Sequence, residues 1–229
     1  MQMIKGHWQL LVLSALIFAL WHTPIVTPLK ILIVFLHELS HAAAAYFTGG
    51  SILDISVSPD QGGSTTTRGG NRFVTLTAGY LGSLLIGIGI LVVALRTNLD
   101  RAALGFSGAL MLFVVLLYIR DTFALAFCIA TGLAMIAAAR FLPLAGCDLI
   151  LRIIGLTSAI YVPYDIYDDT IARSGLRSDA RMLAEEIGGG TMLWGGLWLV
   201  ISIGAILACV RYGLGQNSNL TLPRAPSDT

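Results

Sequence analysis

His37-Glu38-Leu39-Ser40-His41 places two imidazoles four residues apart, with a carboxylate between them, inside an apolar run. Residues four apart share one face of a helix, so His37 and His41 can direct ring nitrogens at one cation. Glu38 projects beside them without ligating. From there it can take a proton from an activated water and later hand it to a leaving amine. The spacing is that of the HExxH zinc motif. With four His and three Glu in 229 residues, about 0.001 such patterns are expected by chance. Ionisable side chains are expensive in hydrocarbon, and one zinc ion per chain would compensate these three. The alternative is a set of polar groups hydrogen-bonded to neighbouring helices without metal.

Two imidazoles do not close a catalytic zinc site, which needs a third protein ligand and one open position. Of the other histidines, His7 lies near the terminus and His22 at the end of an apolar stretch, where interfacial or capping roles are the default. A carboxylate is the better candidate. The densest acidic segment is residues 161–186, which carries Asp165, Asp168, Asp169 and Asp179. If a helix continues past Pro163, Asp165 shares a face with Asp168 and Asp169, so a ligand and its supporting partner could come from one turn. Asp179 suits a helix N-terminus, because Ser178 is a good cap and an early acid complements the dipole. Arg173, Arg177 and Arg181, also four apart, are expected to pair locally or to touch lipid headgroups.

The elements that must position these residues are membrane helices. The chain is 56% hydrophobic and 12% charged, with mean hydropathy +0.81, outside the range of ordinary soluble domains. A net charge of +1 gives no case for nucleic acid, which needs clustered Lys and Arg. Apolar stretches at 8–25, 30–47, 73–95, 102–119, 121–141, 145–162 and 192–210 approach the roughly 20 residues that cross a bilayer. The expected fold is therefore all-α and multi-pass, with six or seven transmembrane helices, the first stretch being retained as a span rather than cleaved. The fourth and fifth stretches are joined only by Arg120-Asp121, so one of them is expected to be tilted or re-entrant. Basic residues divide evenly between the two sides and do not fix the orientation.

Behind the motif, Leu53, Ile55 and Val57 alternate with Asp54, Ser56 and Ser58, and Pro59 to Gly63 is turn chemistry leading to a second short strand at 64–67. A β-hairpin beside the site follows, and Leu53, Ile55 and Val57 form a candidate strand for holding a substrate segment by strand addition. Cys128, Cys147 and Cys209 lack metal or disulfide spacing and are expected as small buried or lipid-facing residues. Gly188 to Gly190, with Trp194 and Trp198, suggests a flexible connection followed by an interfacial aromatic anchor. Residues 1–215 form a single membrane domain in this reading, and 216–229 a disordered polar tail.

The run from His37 to His41, followed by Ala42 to Ala45 and by Gly49-Gly50, resembles the site-2 protease superfamily of intramembrane zinc metalloproteases, and more closely its M50B-like peptidase branch. Thr77 to Gly87 is similar to the Ala-Gly-Pro stretch of that superfamily, with Tyr80 in place of the proline. Pro163-Tyr164-Asp165 is similar to its Pro-x-Asp-Gly context, although Ile166 replaces the glycine and Thr157 stands where an upstream asparagine often does. Asp165 to Asp169 and Ser178-Asp179-Ala180 resemble two acidic clusters of the M50B-like branch. The resemblance covers residues 31 to about 90 well and 160 to 182 in part. It implies a zinc metallopeptidase acting on a membrane protein or peptide within the lipid bilayer. It also implies that Asp165 is the third ligand, ahead of Asp168 and Asp169. The rivals are a non-catalytic metal-binding scaffold or chaperone-like protein of the same fold, and a small transporter with a midplane ion site. Intact Glu38 favours the peptidase, since a scaffold needs ligands but no base, and the chain lacks the two-half repeat common in transporters.

Overall fold

The computed structural model describes residues 2–173, 175, 177–215 and 217–220. Eight α-helices and one hairpin follow in order: α1 (Gln2–Ala19), α2 (Thr27–Phe47), β1 (Ser51–Val57), β2 (Gly63–Arg68), α3 (Arg72–Arg96), α4 (Asp100–Tyr118), α5 (Thr122–Phe141), α6 (Leu144–Tyr167), α7 (Asp179–Ile187) and α8 (Thr191–Ala208). α6 continues past Pro163 and runs on into a π-helical turn, Asp168–Ala172; α8 ends in another, Cys209–Gly213. Among the described residues, six helices are long and apolar enough to cross a membrane: α2, α3, α4, α5, α6 and α8, the last two counted with their π turns. The protein is an integral multi-pass membrane protein. α1, 18 residues with non-helical backbone at His7, is outside that set.

The helix boundaries follow local chemistry. Pro28 opens α2 in its first turn, where its missing N–H costs nothing. Thr48 closes that helix by donating from Oγ1 to the Ala44 carbonyl at 2.7 Å, and Gly49 turns the chain away at φ +89°. Asn71 and Asp121 cap α3 and α5, accepting from the amides of Val74 and Ala124 at 3.1 and 2.9 Å.

α2 is the central element. Two-thirds (67%) of its apolar stretch is buried, against 28% for α4 and for α5, and it packs on α3, α6 and both strands. α3 runs antiparallel to α6 on small residues: Gly155 leaves room for the Gly87 carbonyl and Leu91, and Ser158 Oγ donates to the Ser83 carbonyl at 3.0 Å. α4 and α5 form an antiparallel hairpin of their own, in which Gly108 faces the Gly132 carbonyl. Residues 119–121 suffice to join two full-length helices here, because Asp121 begins the new helix at once. Each is long and apolar enough to cross a membrane.

The hairpin pairs β1 and β2 antiparallel, with an irregularity between Ile52 and Asp54 that leaves Leu53 unpaired. Ile55 and Val57 are buried in the hydrophobic core, whereas Leu53 is exposed. Cys128 and Cys147 are buried, Cys209 is partly so, and all three are free. Trp198, expected at an interface, is instead among the most buried side chains and packs on Tyr80 with ring centroids 5.5 Å apart. Of the expected polar tail, 217–220 packs on the start of α1: Ser218 accepts from Arg152 at its carbonyl and meets His7 Nδ1 at 2.7 Å, and Leu220 N donates to Gln9 Oε1 at 2.5 Å. Residue 216 and residues 221–229 lie outside the described residues.

Candidate metal centre

His37 and His41 lie on the face of α2 turned toward α3, and the helix geometry alone brings their Nε2 atoms to 2.9 Å. The third donor comes from the far end of the chain. Asp179 Oδ2 stands 3.0 Å from His37 Nε2 and 3.1 Å from His41 Nε2. Among the described residues, these three form the one group of His, Cys, Asp or Glu whose ligand atoms converge within 4.8 Å.

Asp179 is the first residue of α7, where Ser178 caps the helix by accepting from Arg181 N at 3.3 Å. The expected capping role and the ligand position thus belong to one short element. Ala180 and Leu183 anchor α7 in the core, and Arg72 ties it to the start of α3 through Glu186 at 2.8 Å. Gly188 and Gly189, at φ +100° and +81°, turn the chain from α7 into α8.

The donor set fits a zinc ion. Ligand atoms at tetrahedral positions with bonds of about 2.0–2.1 Å stand about 3.3 Å apart, close to the observed triangle. His41 Nδ1 lies 2.6 Å from the Thr75 carbonyl, which only accepts, so Nδ1 carries the proton and the Nε2 lone pair points into the cluster. Gly79 of α3 faces both imidazoles, and a Cβ there would overlap them. Space beside the rings is therefore set by the lack of a side chain.

Glu38 is buried on the hairpin side of the same pocket. Thr65 Oγ1 of β2 donates to Glu38 Oε2 at 2.8 Å and reaches the Glu38 carbonyl at 3.0 Å. A Cβ at Gly63 would strike the Glu38 carboxylate, so β2 crosses it closely at a residue without a side chain. The pocket holds about 430 Å³ and is lined by α2, β2, α3, the end of α6 and α7.

The expected ligand Asp165 lines this pocket but stands outside the converging group, whose third member is Asp179. Asp168 and Asp169 are engaged elsewhere. Both pair with Arg173, and Asp169 also accepts from Tyr80. Of the candidate substrate strand, Ile55 and Val57 face the core, and the strand at the pocket is β2. Arg181 pairs locally with Glu185 at 3.0 Å, as Arg173 does with its aspartates.

The family model for Peptidase M50B-like proteins matches residues 10–209. No curated protein and no solved structure gives a significant match to the chain. The family match spans every helix that contributes to the pocket, from the HExxH helix to α7. The chain belongs to the M50B-like peptidase family, a branch of the site-2 protease superfamily.

Proposed function

We propose that the protein is an intramembrane zinc metallopeptidase that hydrolyses a peptide bond in or near a membrane-embedded segment of a substrate protein. The observation that carries this reading is the meeting of Asp179 with both HExxH imidazoles, beside a buried Glu38 that stands outside the converging group. His37, His41 and Asp179 would hold one zinc ion. Bound there, the ion supplies Lewis acidity toward a peptide carbonyl and acidifies water to a pKa of about 7.

The remaining work falls to the chain's own residues. Glu38, steadied at Oε2 by Thr65, takes the proton of the attacking water and passes it to the nitrogen of the leaving amine. Thr75 keeps His41 in the tautomer that ligates. Among the described residues β2 has one strand neighbour, β1, and an extended substrate segment laid along its other edge would pass Glu38. A helical substrate hides its carbonyls in hydrogen bonds, so it must unwind locally before it can lie there.

The test is zinc content and cleavage in detergent-purified protein. Wild type should carry about one zinc, His41→Ala and Asp179→Ala none, and Asp165→Ala a full complement. Glu38→Gln should retain zinc and cleave no membrane substrate. Zinc retained in Asp179→Ala but lost in Asp165→Ala would return the ligand role to Asp165. Zinc bound with no activity that depends on Glu38 would favour the scaffold.

A further inference from the structure

We propose that Tyr80 is the positioning residue of His37, and that Asp169 and Arg173 act on the centre through it. The inference rests on the reading of His37, His41 and Asp179 as a metal centre. Two of those donors have an evident orienting partner: the Thr75 carbonyl for His41 and the capped first turn of α7 for Asp179. His37 differs. Among the described residues, no hydrogen bond reaches its second ring nitrogen, the place where a ligating histidine ordinarily meets a carboxylate or carbonyl.

What the His37 ring meets instead is aromatic packing. The Tyr80 ring meets the His37 ring at 4.7 Å between centroids and 84°, and His41 meets it at 4.6 Å and 76°. His37 thus packs against two rings, both nearly perpendicular to it. Rotation of its imidazole would break these edge contacts.

Tyr80 can hold its contact because it is itself fixed. It is 2% exposed, and Trp198 packs on it. Its hydroxyl donates to Asp169 Oδ2 at 2.8 Å, while Arg173 Nη2 donates to Asp169 Oδ1 at 3.0 Å and also pairs with Asp168. A line of contacts therefore runs from Arg173 at the pocket rim, through Asp169 and Tyr80, to a ligand at its floor. This gives Asp168 and Asp169 a role at the centre without ligation.

Cobalt(II), loaded in place of zinc into the full detergent-purified chain, supplies a visible spectrum that reports ligand geometry, and its release to a chelator reports affinity. Tyr80→Leu removes the ring and should change the cobalt band while speeding release about tenfold to a hundredfold. Tyr80→Phe and Asp169→Asn keep the ring but loosen its anchor, and should speed release about threefold to tenfold. Leu84→Ala, buried one turn further along the same helix, should lower thermal stability and leave band and release rate as in wild type. An unchanged band and release rate in Tyr80→Leu would overturn the proposal. If that variant does not fold, wild-type release from both Tyr80→Phe and Asp169→Asn would do the same. Wild-type protein that binds neither cobalt nor zinc overturns the metal reading itself, a result seen without any variant.

Discussion

The pairing of α4 with α5 and the pairing of α2 with α3 are both built on glycine, and they use it for opposite ends. In the α4–α5 hairpin, Gly108 and Gly132 bring backbone against backbone, with the Gly132 carbonyl where a Cβ would go. Nothing polar is seated between those helices at that point, and the gain is close packing alone. Between α2 and α3, Gly79 and Gly82 face the side chains of His37, His41 and Ser40. There the missing Cβ makes room for imidazole and hydroxyl groups that a membrane interior would otherwise exclude. In one region glycine serves cohesion and in the other it serves chemistry, so the same substitution should fail in two different ways.

The largest effect is expected from the converging donors, none of which lies on α4 or α5: His37→Ala should abolish stoichiometric zinc binding, read by metal analysis. Gly79→Ala comes next. Its methyl group would occupy the space of both imidazoles, so zinc affinity should fall by about a hundredfold or more while the helices still insert. Competition with a chelator measures that. Gly108→Ala should show the opposite profile, with a loss of about 1–3 kcal/mol of stability from overpacking and zinc stoichiometry unchanged. Equal zinc loss in the two glycine variants would break the comparison. The smallest effect belongs to Thr65→Val, which removes the hydrogen bond to Glu38. Cleavage should slow roughly fivefold to tenfold, in line with about 1–1.5 kcal/mol for such a bond, with zinc content intact.

Legibility in the sequence followed the range of the interaction. The HExxH helix was readable because a spacing of four residues is a property of a single helix. The hairpin was readable too, since Leu53, Ile55 and Val57 alternate over a few residues. What alternation reports, however, is which face is buried, and the core took Ile55 and Val57 while β2 took the place beside Glu38. The third donor depends on a contact spanning 142 positions. No local period encodes such a contact. Ser178-Asp179 did announce a helix start, and that expectation agrees with α7. The signal lacked the destination of the helix, which Ala180 and Leu183 fix by burial in the core. Trp198 failed for a related reason: a tryptophan near a helix end suits an interface by composition, whereas here it is buried and packs on Tyr80.

The late position of Asp179 also orders events during biosynthesis. A ribosome that has delivered α2 and α3 to the membrane has made both imidazoles and the acid between them, but must add α4, α5 and α6 before the third donor exists. Until then, the growing chain carries an incomplete set of ligands among other unfinished membrane proteins. On the proposed assignment of Asp179 as the last ligand, the centre can close only after most of the chain has been synthesised.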